Sequence, residues 1–341
     1  TVARAMAKIC SADLEGDELG STTVTFRPGS RPIGGAYEFD VAEAAEHGSA
    51  GSVGLLFQSL LPPLAFAEEP SALTLHGGTH VPWSPSFDYL ENVFLPTVAE
   101  MGLSARIRLA EWGFYPRGGG RIEAQIDPLG PTAEDTDGED PAGPDPSGGA
   151  TPGPKNEERG NASLSSLEAL ERLDRGELES VTGRAVASNL PAHIPQRMTD
   201  RSRSLIEERF GRVLDLQPLR VTGPGPGAGL FLTARYEHGC AGFAALGEKG
   251  KPSEEVAEEA VDQLFTFHDS GGVVDRHLAD QLLLPAALAR GTTTYRTASV
   301  TGHLQTQKGI LEEMIDASIE ITAEEGRPGF VRVDGIGARA P

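Results

Sequence analysis

Gly77-Gly78-Thr79-His80-Val81-Pro82-Trp83-Ser84-Pro85-Ser86-Phe87-Asp88-Tyr89 is stiff and aromatic where a connecting segment is ordinarily soft and polar. Gly77 and Gly78 permit positive φ and the close approach of another group, whereas Pro82 and Pro85 fix φ and push Val81 and Ser84 towards extended geometry. A loop built this way holds its shape before any ligand arrives. Trp83, Phe87 and Tyr89 offer flat faces on which a purine can rest, or else they close over the core; composition leaves both readings open. Before the loop, 73–75 reads as a short strand. After it, Leu90, Val93, Phe94, Val98 and Met101 keep a helical period that Pro96 interrupts.

Further out, 53–61 reads as a buried helix with Gln58 near its middle, where an amide needs a partner. Thr22, Val24 and Phe26 alternate ahead of Pro28-Gly29, and Tyr37, Phe39 and Val41 follow Gly34-Gly35, which predicts a hairpin. Thr1 to Ile9 has the pattern of a helix interior. Arg106, Arg108 and Ala110 alternate with Ile107, Leu109 and Glu111, and Ile122, Ala124 and Ile126 supply a partner strand across a glycine-rich turn. Arg117 sits in that turn, either beside backbone N–H groups that cradle phosphate or as a solvated arginine. The spacing predicts helix over 164–173, 194–210 and 253–267, and a strand through Leu230, Leu232 and Ala234. Gly223-Pro224-Gly225-Pro226-Gly227 lacks the Lys and Ser/Thr of a phosphate loop and reads as a turn. His76 and His80 are four apart, but the glycines between them argue against the helix that would make a metal pair.

With 341 residues the chain exceeds what one core usually supports, which predicts two domains. Its 29 basic and 50 acidic residues give a net charge of -21, an acidic, halophile-like balance. A polyanion-binding site on such a chain needs a locally basic cleft, for which Arg106, Arg108, Arg117 and Arg121 are candidates. The apolar stretch 55–66 is broken by Gln58, Ser59 and two prolines, so no membrane span is expected. Cys10 and Cys240 are too few for a disulfide framework and lack metal-ligand spacing, which predicts a reducing, cytoplasmic setting. Residues 128–161 are dense in Pro, Gly, Asp and Glu and read as a disordered insertion.

Five strings carry a resemblance in order along the chain. They are Gly48-Ser49-Ala50-Gly51-Ser52 running on to Gln58, the 77–89 loop, Gly113-Phe114-Tyr115-Pro116-Arg117-Gly118-Gly119-Gly120, His277-Leu278-Ala279-Asp280-Gln281, and His303-Leu304. Together they resemble the RNA 3'-terminal phosphate cyclases of archaeal type. The resemblance implies an α+β fold: a large domain of repeated βαβαββ-type units, each a sheet plus two helices, with a smaller inserted α/β domain. On that basis 1–186 and 271–341 form the main domain and 187–270 the insertion. It further implies His303 as the nucleophile that carries AMP, with Gln58, Pro85, His277, Leu278, Ala279, Asp280 and Gln281 around the nucleotide. Asp280 would hold the ribose hydroxyls or orient the histidine, although a carboxylate at a helix start is also favoured by the helix dipole alone.

The implied partners are ATP, an RNA with a 3'-phosphate end and a divalent cation, Mg²⁺ or Mn²⁺, with no protein ligand assigned to the metal and no stable protein partner inferred. In this family an acidic metal residue lies on an earlier strand and helix, for which this chain shows no counterpart, so it reads as N-terminally incomplete. The family's Asn after the histidine is Gln307 here, one methylene longer, and a displacement of about 1 Å slows a reaction of this kind. Two rivals share the general architecture. A non-catalytic scaffold for ribosomal-RNA processing typically lacks the histidine, and a carboxyvinyl transferase has no need of one.

Overall fold

The computed structural model describes residues 1–18, 20–41, 51–130, 166–211 and 215–340. The predicted insertion therefore lies outside the described residues from 131 onward, and the 48–52 string is described only from 51. Helix α1 (Val2–Ile9) buries Ala5 and Ile9, and β1 (Asp13–Glu15) pairs antiparallel with β2 (Thr25–Arg27). The predicted hairpin does not form. After β2 the N–H groups of Gly29, Ser30 and Ile33 bond to the C-terminal carbonyls of α1 at Cys10 and Ile9, so the chain is led past α1 instead of turning back. Strand β3 (Gly35–Asp40) then lies parallel to β4 (Ser71–Gly77).

Between β3 and β4 runs α2 (Val53–Ala65), capped by Ser52, whose Oγ accepts from the Leu55 N–H at 3.2 Å. Its interior is apolar almost all round, with Val53, Leu56, Phe57, Leu60, Leu61 and Leu64 buried. Pro62 has no N–H for the Gln58 carbonyl, and the helix ends within a turn. Past the 77–89 loop come α3 (Phe87–Tyr89), a wider π-turn over Leu90–Phe94, and α4 (Leu95–Ala99). Pro96 lies in the first turn of α4, where a missing N–H is tolerated. Strands β5 (Ala105–Glu111) and β6 (Gly120–Ile126) complete a sheet of order β3-β4-β6-β5.

The expected helix over 164–173 is extended over its described part. Its leucines recur every third position, which imitates a helix, but their backbone groups belong to a sheet: Arg290 N–H donates to Leu167 O at 2.7 Å and Thr294 N–H to Leu170 O at 2.9 Å. Here β7 (Glu171–Arg172) forms the edge of another sheet.

A second four-stranded sheet is built from β8 (Leu178–Ser188), β9 (Asp215–Val221), β10 (Gly227–Tyr236) and β11 (Gly239–Leu246) in the order β11-β10-β8-β9. It packs with α5 (His193–Phe210) and α6 (Ser253–Ser270) around its own buried cluster of Met198, Ile206, Val256, Val261 and Leu264. The chain then returns through α7 (Leu278–Gln281), α8 (Leu283–Leu288), β12 (Arg290–Thr297), α9 (Gly302–Met314), β13 (Ser318–Ile321) and β14 (Gly329–Ile336). This third sheet has the order β13-β14-β12-β7. The fold is mixed α+β, and one continuous core joins the first and third sheets through α2, α3, α7 and α8.

Candidate active site

Asp275 organises the segment that carries the 277–281 string. Its carboxylate is 3 % exposed. Oδ1 accepts from His277 N–H at 2.9 Å and Leu278 N–H at 3.0 Å, capping the start of α7. The Tyr89 hydroxyl donates to the same carboxylate at 2.9 Å, and the Gly242 N–H of β11 reaches Oδ2 at 3.3 Å. One buried carboxylate thus fixes α7 against the helical passage after the 77–89 loop and against the second sheet.

Leu278 and Ala279 point into the core, and the Tyr295 hydroxyl donates to Ala279 O at 2.6 Å. Their contribution to a site is therefore backbone and anchorage. Asp280 and Gln281 are half-buried, and His277 is exposed. Burial pushes the Asp280 carboxyl up to about 6; the nearby His303 opposes that rise and Asp275 adds to it. His277 is held below the usual imidazole range, first because surrounding protein displaces water from the ring, then by Arg276 and His303, while Asp275 acts the other way.

His303 stands on the first turn of α9. Thr301 caps that helix, its Oγ1 accepting from Leu304 N–H at 3.1 Å, and Leu304 is buried beneath. The imidazole itself is exposed. Residues 277, 280 and 303, more than twenty apart at the extremes, are brought within electrostatic reach because α7 packs on α9.

Pro85 meets α2 at Gly54. A Cβ at position 54 would stand 2.6 Å from the Pro85 carbonyl oxygen, so loop and helix touch only because that position has no side chain. Gln58 lies one turn further along the same face. Two buried amide atoms lack a hydrogen-bond partner, the donor Gln58 Nε2 and the acceptor Gln281 Oε1. Such atoms are costly when left alone, and one donor with one acceptor matches the edge of a purine. An amide donor and an amide acceptor left without partners are groups that could hold a purine edge. The link between the Gln58–Pro85 pair and α7 runs through Tyr89, which Ser86 caps at 3.2 Å and which meets the His277 ring edge-on at 6.5 Å.

Some expectations change. Phe87 and Tyr89 are buried, which makes them core and not purine platforms, while Trp83 is 98 % exposed. The basic stripe is largely neutralised across its own strand pair: Arg106 faces Asp127 at 3.7 Å, Arg121 faces Glu123 at 3.9 Å, and Arg108 is bonded to Glu123. His80 is fully buried, with Nε2 2.9 Å from Asp88 and Nδ1 2.8 Å from the Thr79 hydroxyl, and His76 pairs with Glu38. Among the described residues no group of three His, Cys, Asp or Glu side chains stands ready to hold a metal.

Asp275 and Arg276 escaped the sequence reading. A carboxylate just ahead of a helix start is a legible cap signal, so Asp275 was findable as a cap, though not as the partner of Tyr89 and Gly242. Arg276, whose Nε–H donates to His277 Nε2 at 3.1 Å, adds positive charge beside the trio; an exposed arginine carries no such signal.

A histidine and a raised carboxyl thus meet where α7 packs on α9. The sequence profile of the RNA 3'-terminal phosphate cyclases matches residues 1–321. The chain is 42 % identical over 325 residues to the RNA 3'-terminal phosphate cyclase of Gloeothece citriformis, covering 95 % of this chain and 83 % of that protein. With the protein of the same name from Methylococcus capsulatus it shares 42 % over 335 residues, 98 % and 83 % of the two chains. For Methanopyrus kandleri the figures are 34 % over 336 residues, 97 % and 84 %. The chain belongs to the RNA 3'-terminal phosphate cyclase family, and as a member of it is an enzyme, a ligase by class.

Proposed function

We propose that this protein converts an RNA 3'-terminal phosphate to a 2',3'-cyclic phosphate at the cost of ATP, with His303 as the covalent carrier of AMP. The observation that carries this is the placement of an exposed His303 at the N-terminal turn of α9, within electrostatic reach of the half-buried Asp280 and of His277. A helix N-terminus favours anionic groups. In the first step a ring nitrogen of His303 bonds to the α-phosphorus of ATP and the bond to the β-phosphate oxygen breaks, releasing diphosphate. A 3'-phosphate oxygen of the RNA then takes the adenylate and frees the imidazole. Finally the neighbouring 2'-hydroxyl oxygen attacks the 3'-phosphorus, its proton is lost, and AMP leaves. The covalent carrier divides one difficult displacement into easier ones.

Gln58 and Gln281 hold the base through their unpaired amide atoms, the Pro85 loop walls it, and Asp280 faces the ribose or the His303 ring. His277 and Arg276 line the phosphate side. A divalent cation, Mg²⁺ or Mn²⁺, neutralises the triphosphate, held mainly by substrate oxygens and water. The shared strand order of the first and third sheets, each with a parallel pair flanked by antiparallel strands, supports the repeated βαβαββ unit. The separate core around α5 and α6 supports 187–270 as the insertion into a main body of 1–186 and 271–341, and β8, which begins at Leu178 ahead of that boundary, already lies inside the inserted sheet between β10 and β9. No helix among the described residues is long and apolar enough to cross a membrane, in keeping with work in the cytoplasm.

Incubation with α-labelled ATP and a divalent cation tests the reading. A label on the protein that acid removes and alkali spares is expected, and His303→Ala should abolish it. A label that persists in that variant removes His303 as nucleophile, and an unlabelled but folded wild-type protein favours the scaffold.

A further inference from the structure

Trp83 is the anomaly of the 77–89 loop. It is 98 % exposed, and its backbone adopts φ +59°, a left-handed conformation that bulky residues rarely take. No core contact compensates for that strain, and strain of this kind gathers at functional positions. The loop holds the indole out firmly: Ser84 donates to Val81 O at 3.1 Å, Phe87 N–H to Thr79 O at 3.1 Å, and His80 is locked between Asp88 and Thr79.

A second exposed ring stands on the adjoining loop. Tyr115 is 61 % exposed. The loops are joined at their bases, where the N–H groups of Thr79 and His80 bond to Gly113 O at 2.9 and 3.0 Å and the His80 and Phe114 rings stack with centroids 5.3 Å apart. Trp83 is three residues beyond that joint and Tyr115 one, which puts their Cα atoms within about 20 Å of each other. Two residues after Tyr115 on the second loop is Arg117, exposed, its stem lying over Gly225, and without an ion pair among the described residues. Acidic residues number 50 in 341, yet 77–86, 113–120 and 223–227 contain none. On a chain of net charge -21 these adjoining loops contribute no carboxylate of their own and one arginine, Arg117.

Resting on the cyclase reading above, we propose that Trp83, Tyr115 and Arg117 form the surface on which the single-stranded 3' end of the RNA lies as it enters the site. The rings stack on bases and the guanidinium meets the phosphate chain, the combination by which single strands are held without sequence preference. Two rings separated by glycines and prolines are too discontinuous for a protein-docking patch, which needs a contiguous apolar area. Proximity to the nucleotide follows from Pro85, two residues after Trp83, which abuts α2 one turn from Gln58.

The test uses the full chain and a short single-stranded RNA ending in a 3'-phosphate, with the same length of duplex as control. Trp83 and Trp112 are the two tryptophans, so wild type should show solvent-exposed emission that the single strand quenches, and Trp83→Phe should lose the quench while keeping most of the affinity. Trp83→Ala should weaken single-strand binding by roughly 5-fold to 100-fold, as loss of one stacked base does, and Arg117→Gln should lower the salt slope of binding by about 1. Trp83→Gly should melt no lower than wild type, because glycine accepts the positive φ. Unchanged RNA affinity in Trp83→Ala, or a Trp83 emission that is buried and unquenchable, overturns the proposal. Labelling of His303 by ATP alone needs no RNA, so labelling without any Trp83 effect sinks this inference alone. A Trp83-dependent RNA affinity without labelling sinks the adenylate step alone.

Discussion

Asp280 is where the chemistry of the site and the stability of the fold oppose each other. Its carboxyl, at about 4 in an unfolded chain, is pushed up to about 6 in the fold, chiefly by burial. An acid whose folded value is raised opposes folding when ionised, so the protein loses stability as pH rises from about 4 to about 6, and above that the loss is complete. Asp280→Asn should therefore be more stable than wild type at pH 8, by on the order of 2 kcal/mol after discounting partial solvent exposure. At pH 4, where the folded carboxyl is protonated and the unfolded one about half so, the gap should shrink to under about 1 kcal/mol. Urea unfolding at both pH values measures this, and an Asn variant no more stable at pH 8 refutes it. The same variant should label poorly with ATP, since it removes the charge facing His303.

Helix α7 has four residues and cannot stand by itself. What holds it is Asp275, receiving two backbone N–H groups of the α7 start, one from β11 and a tyrosine hydroxyl. Asp275→Ala strands those donors in a dry place and should cost about 3 kcal/mol or more by denaturant unfolding, with Tyr89→Phe, which removes one bond, costing about 1 kcal/mol. Equal costs for the two would mean that the carboxylate is no hub. Helix α2 was legible in the sequence because it is apolar almost all round, and α6 because Val256, Ala260, Val261, Leu264 and Phe267 recur on one buried face. The 164–173 stretch was misread since leucines at every third position fit a helix and a sheet edge alike, and which of them forms depends on the carbonyls and N–H groups of β12 far along the chain.

Between the large body and the second sheet lies a polar chain, buried at Asp88, His80 and Thr79 and partly exposed at Arg184 and Glu91. Arg184 of β8 holds Asp88 at 2.7 Å and Glu91 at 2.5 Å, Asp88 holds His80, and His80 holds Thr79. The His80 ring also stacks on Trp112 at 4.6 Å and tilts against Phe231 of β10 at 4.7 Å. Arg184→Met leaves a buried carboxylate with one partner fewer and should lower stability by about 2 kcal/mol, less than a fully buried pair because Arg184 is partly exposed. In the double variant with Asp88→Asn the losses should add up to less than their sum; strict additivity would show that the two side chains do not cooperate. This junction places the 77–89 loop, and with it Trp83 and Pro85, relative to both sheets.

The residues themselves set the stiff loop, the apolar body of α2, the caps at Ser52 and Thr301 and the strings that carry the family resemblance, because each depends on local backbone preference or on spacing within a few turns. The fate of Phe87 and Tyr89, the neutralisation of Arg106, Arg108 and Arg121, the role of Asp275 and the meeting of His277 and Asp280 with His303 were decided by the tertiary structure. Each of those turns on which distant groups share a low-dielectric space, and charge, burial and hydrogen-bond satisfaction are properties of that space and not of the one-dimensional order of side chains.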